Sequence, residues 1–232
     1  MRKELIQLIK NVYDKHDLQE HFLNNDRNYL INAHFDIERI WNQNFMNIEQ
    51  VKYVLLSEAP LWGRNNSFIY NFSTSFTQFF YENDLFFALN QDLIHDSQES
   101  IIVKKERFIK TLNGLGILII DVSPYALNST TAINYSRNDV NTLKLNPIEY
   151  RNLLSLSFEY FLYEKLYTIK KRINPNTTIN IIYRYSRLYN LHQYVEPYLN
   201  NAFGENNFKV NYIGQRGCGI NRNMLRNILQ NQ

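Results

Sequence analysis

Two carboxylates follow apolar runs at places where chemistry is common. Glu58 comes just after the run 51–56, and Asp121 directly follows the run 117–120. A short apolar run bounded by turn residues is typical of a buried parallel strand. The carboxyl ends of such strands meet at one edge of a sheet, where ligands bind. Glu58 and Asp121 are therefore candidates for an acid/base pair that orients or activates water.

The elements that must position these carboxylates alternate along the chain. Apolar runs predict four strands, at 51–57, 116–122, 178–184 and 208–213. Helical patterns lie between and after them, at 73–94, 102–112, 146–171, 187–200 and 221–230. This order predicts a three-layer α/β/α fold with a four-stranded, mainly parallel sheet. We interpret residues 1–232 as a single α/β domain, in which 1–48 is a helical element and 49–232 is the core.

The other strand ends also carry polar and aromatic side chains. Arg184 and Arg187 follow the third strand, a glycine-rich turn follows the fourth, and the long polar segment 123–146 follows the second. Long loops in compact domains are often functional. Each feature also has a structural interpretation, because Glu58 could cap a helix, the aromatic side chains could lie at the core edge, and the arginines could pair with the acids.

The composition of the chain excludes several kinds of functional site. The chain has 232 residues, one cysteine, and a net charge of +3. One cysteine excludes an internal disulfide and a cysteine-rich zinc site, and the scattered histidines predict no metal site. No phosphate-binding glycine motif is present, so we expect no nucleotide cofactor. Without a long apolar run, the sequence predicts a cytoplasmic protein that does not cross a membrane, and its oligomeric state stays open.

The sequences of these strand ends resemble those of the uracil-DNA glycosylase superfamily. The stretch L-L-S-E-A-P is similar to that family's first motif, in which a core strand ends in Gly-Glu-Ala-Pro-Gly. L-G-I-L-I-I-D-V-S-P is similar to its second core strand, and I-N-I-I-Y-R-Y-S to its third. V-N-Y-I-G-Q-R-G-C-G-I stands where the family's last strand delivers a loop that wedges into DNA. The resemblance covers about 51–225 and implies a glycosylase-like core.

The resemblance implies roles for particular residues, because a base must leave the duplex before it can be attacked. Glu58 takes the position of the first-motif carboxylate and would position or activate water, while Asp121 would orient the base or stabilise the sugar cation. The residues expected to bind the base are Ala59, Pro60, Trp62, Phe68, Phe72, Tyr125 and Arg184. The residues expected to contact DNA are Arg64, Asn65, Arg187, Gln215, Arg216, Ile220, Arg222 and Arg226, with Ile220 as the wedge.

The chain departs from the family pattern at three places. Ala59 stands where one branch carries a water-activating aspartate, and Gly214-Gln215-Arg216 replaces the histidine motif. Asp121 replaces a base-reading asparagine, and an ionised aspartate only accepts hydrogen bonds, so a base edge rich in amino donors is expected. Three functions stay open: a DNA glycosylase for another base, a catalytically silent DNA-binding relative, and an unrelated small-molecule hydrolase.

Overall fold

The computed structural model describes residues 3–58, 70–71, 82–89, 100–124, 147–215 and 220–230. Its strands are β1 (Tyr53–Ser57), β2 (Ile117–Asp121), β3 (Ile179–Tyr183) and β4 (Phe208–Tyr212). Each described strand lies inside the range that the apolar runs predict. The predicted α/β/α fold is confirmed, since helices flank a sheet whose strands are all parallel.

The helices also follow the predicted order. They are α1 (Lys3–Lys15), α2 (Gln19–His21), α3 (Arg27–Met46), α4 (Glu82–Ala88), α5 (Ile101–Gly114), α6 (Pro147–Ser157), α7 (Tyr163–Ile169), α8 (Ser186–Tyr189), α9 (His192–Phe203) and α10 (Arg222–Gln230). A π-helical turn joins α2 to α3, and another, Phe158–Leu162, joins α6 to α7. The predicted helix 146–171 is therefore helical from Pro147 onward, with a π-helical turn between α6 and α7. Most of the predicted helix 73–94, and the segment 125–146, lie outside the described residues.

The strand order is β2-β1-β3-β4, so β1 lies inside the sheet. Every residue of β1 and β2 is buried, which agrees with their continuous apolar runs. β4 forms an edge and is only partly covered. Because the order is β2-β1-β3-β4, the connection that follows β1 and the connection that follows β3 run in opposite directions along the sheet.

The N-terminal helices pack onto the same core as the sheet. Leu5 and Ile9 of α1 and Trp41 of α3 belong to the buried cluster that includes the strands. The Arg172 guanidinium holds the end of α3, where it donates hydrogen bonds to backbone carbonyls, including that of Phe45 at 3.0 Å. The last carbonyls of a helix lack the amide partner four residues on, so this contact stabilises the end of α3.

Gly116 sets the approach of β2 to β1. Its φ of +73° belongs to the left-handed region, and a Cβ there would lie 2.7 Å from the Gln50 carbonyl oxygen. The Gly116 carbonyl accepts hydrogen bonds from the amides of Lys52 and Tyr53, at 2.9 and 3.1 Å. Glycine at this position therefore allows β2 to pair with β1 in the register that places Ser57 beside Asp121.

No helix in the described part of the chain is long and apolar enough to cross a membrane.

Candidate functional site

The strand order predicts a ligand-binding crevice at the carboxyl ends of β1 and β3. In an open parallel sheet, a crevice forms where neighbouring connections leave in opposite directions. Glu58 follows β1, Arg184 follows β3, and Asp121 ends β2 beside β1. Three of the residue positions that the sequence predicts as functional therefore stand at neighbouring strand ends.

Backbone hydrogen bonds hold the ends of β1 and β2 together beyond the strands. The amide of Val122 donates to the Ser57 carbonyl at 2.9 Å, and the amide of Ser123 donates to the Glu58 carbonyl at 3.2 Å. Ser57 and Asp121 are themselves paired in register. The backbone of Glu58 is therefore fixed one residue beyond Asp121, although no regular strand continues there.

Glu58 is the more accessible of the two acids. Its side chain is half-buried, and the Tyr150 hydroxyl of α6 donates a hydrogen bond to its Oε1. Tyr150 is itself 5% exposed, so this donor has little freedom to move. Next to it on α6, the Glu149 carboxylate lies 3.4 Å from Nε2 of His16, which ties α6 to the N-terminal helices. A half-buried carboxylate oriented by a fixed donor is suited to position a water molecule.

Asp121 has a different environment. It is 4% exposed, and the buried Tyr70 hydroxyl donates a hydrogen bond to its Oδ2 at 3.1 Å. Burial raises the pKa of Asp121 to about 7, although the Tyr70 hydrogen bond and the charge of Lys165 act in the opposite direction. The pKa of Tyr70 is also raised, chiefly by burial and then by Asp121, so Tyr70 remains a donor. Near neutral pH, Asp121 can therefore carry a proton.

A second pair of charged groups joins α7 to α3, between a buried lysine and a partly exposed glutamate. Lys165 of α7 is 2% exposed and donates to Oε1 of Glu38 on α3. Its ammonium group also lies 3.3 Å from the ring centroid of Phe161 and 5.2 Å from that of Trp41. Burial lowers the pKa of Lys165 to about 8, and the charges of Glu38 and Asp121 oppose this shift.

Arg184 is buried and its guanidinium lies 5.0 Å from the ring centroid of Tyr185. Its backbone carbonyl is packed against Gly214, since a Cβ on that glycine would come within 2.5 Å of the oxygen. The turn after β4 thus approaches the end of β3 closely. The backbone of Arg184 therefore stands at the strand ends, as the sequence predicts.

Three of the residues predicted to contact DNA, Ile220, Arg222 and Arg226, follow the glycine-rich segment and are described by the structure. Ile220 is 7% exposed and belongs to the core, so it does not project as a wedge in this structure. Arg222 forms an ion pair with Asp84 of α4, with its Nε 2.6 Å from Oδ1. Arg226 donates to the Phe87 carbonyl at 3.0 Å. Both arginines therefore join α10 to α4, and the roles of all three residues in DNA binding stay predictions.

The structure does not show the remaining predicted site residues in contact with these groups. Gln215 is exposed beyond β4, and the backbone of Arg187 belongs to α8, while its side chain is not described. The following predicted residues lie outside the described ranges: Ala59, Pro60, Trp62, Arg64, Asn65, Phe68, Phe72, Tyr125 and Arg216. Their predicted roles stay predictions.

Sequence reasoning missed the partners of the two acids. Tyr70, Tyr150 and Glu38 gave no local signal, because each meets its partner only through the tertiary fold. Lys165 did give one. It stands four residues after Phe161 and four before Ile169, on the apolar side of its helix.

Two cavities border the opposite end of the sheet. One, of about 620 Å³, lies near Lys52 and Gly116, and another, of about 610 Å³, lies near Asn180 and Met224. Neither includes a strand-end carboxylate, and the described residues contain no group of three or more metal-ligating side chains. We place the candidate site at the carboxyl ends because the groups able to perform acid/base chemistry converge there.

A scan of protein-family models, a search of curated proteins and a search of solved structures each returned no match to this chain.

Proposed function

We propose that this protein is a cytoplasmic DNA glycosylase that hydrolyses the N-glycosidic bond of a base rotated out of the DNA. The observation that carries the proposal is the pair of acids at neighbouring strand ends, each hydrogen-bonded by a tyrosine hydroxyl. Glu58 receives a hydrogen bond from Tyr150, and Asp121 from Tyr70. The resemblance of L-L-S-E-A-P to the first motif of uracil-DNA glycosylases supplies the substrate class.

The chemistry divides between the two acids according to their exposure. Glu58, which is half-buried, would position a water molecule for addition to the anomeric carbon of the sugar and would accept the proton that the water loses. As the C–N bond breaks, its electrons pass to the base nitrogen, and the departing base needs a hydrogen bond or a proton. Asp121 can supply it near neutral pH, because burial raises its pKa to about 7.

The protonation of Asp121 changes the expected choice of base. The sequence argument treats Asp121 as ionised and predicts a base edge rich in amino donors. A protonated carboxyl also donates, so Asp121 can face a carbonyl oxygen as well as an N–H group. We therefore extend the proposed substrates to bases that present both groups, and Arg184 would steady the departing base from the end of β3.

The unrelated small-molecule hydrolase remains a second candidate because of the last turn. Arg222 and Arg226 are engaged with α4, and Ile220 is buried. These three residues therefore offer less to a DNA backbone than the sequence suggests. A catalytically silent DNA-binding relative would need the same contacts, so this observation favours the small-molecule hydrolase over the silent relative.

An abasic-site assay tests the proposal directly. Purified protein is incubated with labelled single- and double-stranded oligonucleotides carrying uracil, hypoxanthine, xanthine, or modified and mismatched pyrimidines, and alkali then cleaves any abasic product. Cleavage of at least one substrate is the expected result. Absence of cleavage with every oligonucleotide would contradict the proposal, and release of base from free nucleosides in a parallel reaction would support the second candidate.

A further inference from the structure

Aromatic side chains cluster at the carboxyl ends of β3 and β4, beside the strand-end crevice. Tyr183 ends β3 and Tyr212 ends β4, and their pairing in register places both side chains on the same face of the sheet. Tyr189 of α8 and His192, the first residue of α9, follow β3 along the chain. Ring centroids of neighbouring members of this cluster are 4.7–6.2 Å apart. The four rings therefore form one group at the edge where parallel sheets bind ligands.

Three of these rings are nearly parallel. Tyr189 is stacked on Tyr212, with centroids 4.7 Å apart and planes that differ by 12°, and the plane of His192 differs from that of Tyr189 by 14°. Tyr183 instead meets Tyr189 and His192 edge to face, at 67° and 81°. Both arrangements are favourable between protein rings, but only parallel rings can be extended by a further flat ring. We call Tyr189, His192 and Tyr212 the aromatic stack.

The aromatic stack is both accessible and held in place. Tyr189 is 38% exposed, and His192 and Tyr212 are half-buried. Tyr183 is fully buried, and its hydroxyl oxygen lies 2.9 Å from Nδ1 of His192. A Cβ on Gly214 would come within 2.5 Å of the Tyr212 hydroxyl oxygen and 2.7 Å of its Cε2, so the turn after β4 packs closely against this ring. These contacts fix rings that still reach the solvent.

His192 adds a hydrogen-bond donor to the aromatic stack. Burial raises the pKa of Tyr183, so its hydroxyl stays protonated and can donate to Nδ1 of His192. Burial also lowers the pKa of His192, although the charge of Glu196 on α9 opposes this shift. In the neutral imidazole that results, the ring proton lies on Nε2, because Nδ1 accepts the hydrogen bond. A flat ring with a carbonyl oxygen or a ring nitrogen can accept from that N–H group.

The aromatic stack lies close to Glu58 along the strand ends. Tyr183 pairs in register with Leu56, which is two residues before Glu58. Neighbouring strands are about 4.8 Å apart, so the end of β4 lies roughly 10 Å across the sheet from the end of β1. Nucleotides in one strand of B-form DNA rise about 3.4 Å each, so this span corresponds to about three nucleotides. A strand that presents one base to Glu58 can therefore place a nearby base on the aromatic stack.

We propose that the aromatic stack binds a nucleobase of the same DNA strand, a few nucleotides from the base that faces Glu58. The choice of ligand rests on the proposed glycosylase function. Stacking is open to every base, so the aromatic stack holds the strand without reading its sequence, while His192 donates to an acceptor on the base edge. The contact uses no charged side chain, so its contribution to affinity does not change with salt concentration.

Binding to single-stranded oligonucleotides tests this proposal without any cleavage. Fluorescence anisotropy with a labelled oligonucleotide of the four ordinary bases gives the dissociation constants of the full chain and of Tyr189→Leu. Loss of the ring should weaken binding by about fivefold or more, and by the same factor at low and at high salt. With an oligonucleotide of equal length made of abasic sugars, the two proteins should bind equally, because no base remains to stack.

Tyr194 supplies the matched control, because it is 41% exposed on α9 and makes no ring contact in the described part of the chain. Tyr194→Leu should bind both oligonucleotides as the wild type does. Tyr189→Trp guards against a Tyr189→Leu protein that does not fold, since it retains an aromatic ring. Stacked bases quench tryptophan fluorescence, so added oligonucleotide should quench the emission of Tyr189→Trp more strongly than that of Tyr194→Trp.

Unchanged binding by Tyr189→Leu, an equal loss with the abasic oligonucleotide, or equal quenching in both tryptophan variants would overturn the proposal. Binding of free nucleosides that depends on Tyr189, without binding of any oligonucleotide, would assign the aromatic stack to a small molecule and also overturn it. The abasic-site assay separates this proposal from the glycosylase function. Base release with unchanged Tyr189→Leu binding would refute only the role of the aromatic stack, and Tyr189-dependent binding without base release would refute only the glycosylase function.

Discussion

Tyr150 and Glu58 lie 92 positions apart in the chain, and the Tyr150 hydroxyl donates a hydrogen bond to Glu58 Oε1. The contact joins α6 to the end of the central strand β1. Since Tyr150 is buried and Glu58 is half-buried, the side of the carboxylate nearer to the protein is fixed by Tyr150. A carboxylate held in this way by a fixed hydroxyl donor is suited to position a water molecule.

Removal of this donor should affect both stability and rate. Tyr150→Phe removes the hydroxyl that donates to Glu58. A hydrogen bond to a charged group contributes roughly 1.5–3 kcal/mol to the free energy of unfolding. We expect the free energy of unfolding, measured with urea, to fall by a comparable amount. We also expect the rate of base release to fall about tenfold or more. Tyr167→Phe is the control, because Tyr167 is 56% exposed on α7. Equal rates for Tyr150→Phe and the wild type would show that Tyr150 does not orient Glu58 for catalysis.

Asp121→Asn should change how stability depends on pH. The folded-state pKa of Asp121, about 7, lies above its ordinary value of 3.8, so the folded protein binds this proton more tightly than the unfolded chain does. The contribution of Asp121 to stability is therefore fully present below pH 4 and is lost as the pH rises toward 7, by at most roughly 1.4 kcal/mol per pH unit. Asp121→Asn should be more stable than the wild type at pH 8, with a smaller difference at pH 4.

The measurement is urea unfolding of both proteins between pH 4 and pH 8. His34 also changes stability in this range, because burial lowers its pKa to about 4, so its contribution is lost as the pH falls below 6.5. That effect is common to both proteins and cancels in the difference between them. A difference that stays constant with pH would mean that Asp121 ionises as an ordinary exposed acid.

Gly214 tests the close approach of the last turn to β3. A Cβ there would lie 2.5 Å from both the Arg184 carbonyl oxygen and the Tyr212 hydroxyl oxygen. Gly214→Ala should therefore displace the strand end and destabilise the protein by about 1–3 kcal/mol. At Gly114, the last residue of α5, a Cβ would meet nothing within 4 Å, so Gly114→Ala should stabilise by roughly 0.5–1 kcal/mol. Opposite shifts in thermal unfolding are expected, and shifts of the same sign would contradict this packing.

The pH dependence of base release follows from the protonated state of Asp121. If Asp121 donates to the departing base, the rate should fall as the pH rises through about 7, where the carboxyl loses its proton. Asp121→Asn should lack that decrease, because an amide donates at every pH. Rates measured from pH 5 to pH 9 with the most rapidly cleaved oligonucleotide check this. A wild-type rate that rises steadily through pH 7 would exclude Asp121 as the donor.

Most of the fold could be predicted because each strand is specified by residues that are close together in the sequence. The apolar runs that end at Leu56 and Ile120 are long enough for strands and too short for helices, and turn residues bound them. The strand ends then followed from the rule for parallel sheets, which brought Glu58, Asp121 and Arg184 to one edge.

The environment of each acid was not predictable in the same way. Burial raises the pKa of Asp121, and the two groups that oppose this shift, the Tyr70 hydroxyl and the Lys165 charge, are distant from it in the sequence. The burial of Ile220 and its antiparallel bridge to Gly214 were not predictable either, because both depend on contacts that form only in the folded chain. An apolar residue in a glycine-rich turn has the same local pattern whether it anchors the turn or projects from it.

The most direct test of the central claim compares Glu58→Gln with Glu49→Gln in the abasic-site assay. Both changes remove a carboxylate charge with little change in volume, but Glu49 borders the cavity at the amino ends of the strands. We expect Glu58→Gln to reduce base release by about 10²- to 10⁴-fold while thermal unfolding still shows a folded protein, and Glu49→Gln to match the wild type. Full activity in Glu58→Gln would contradict the assignment of Glu58 as the carboxylate that positions water.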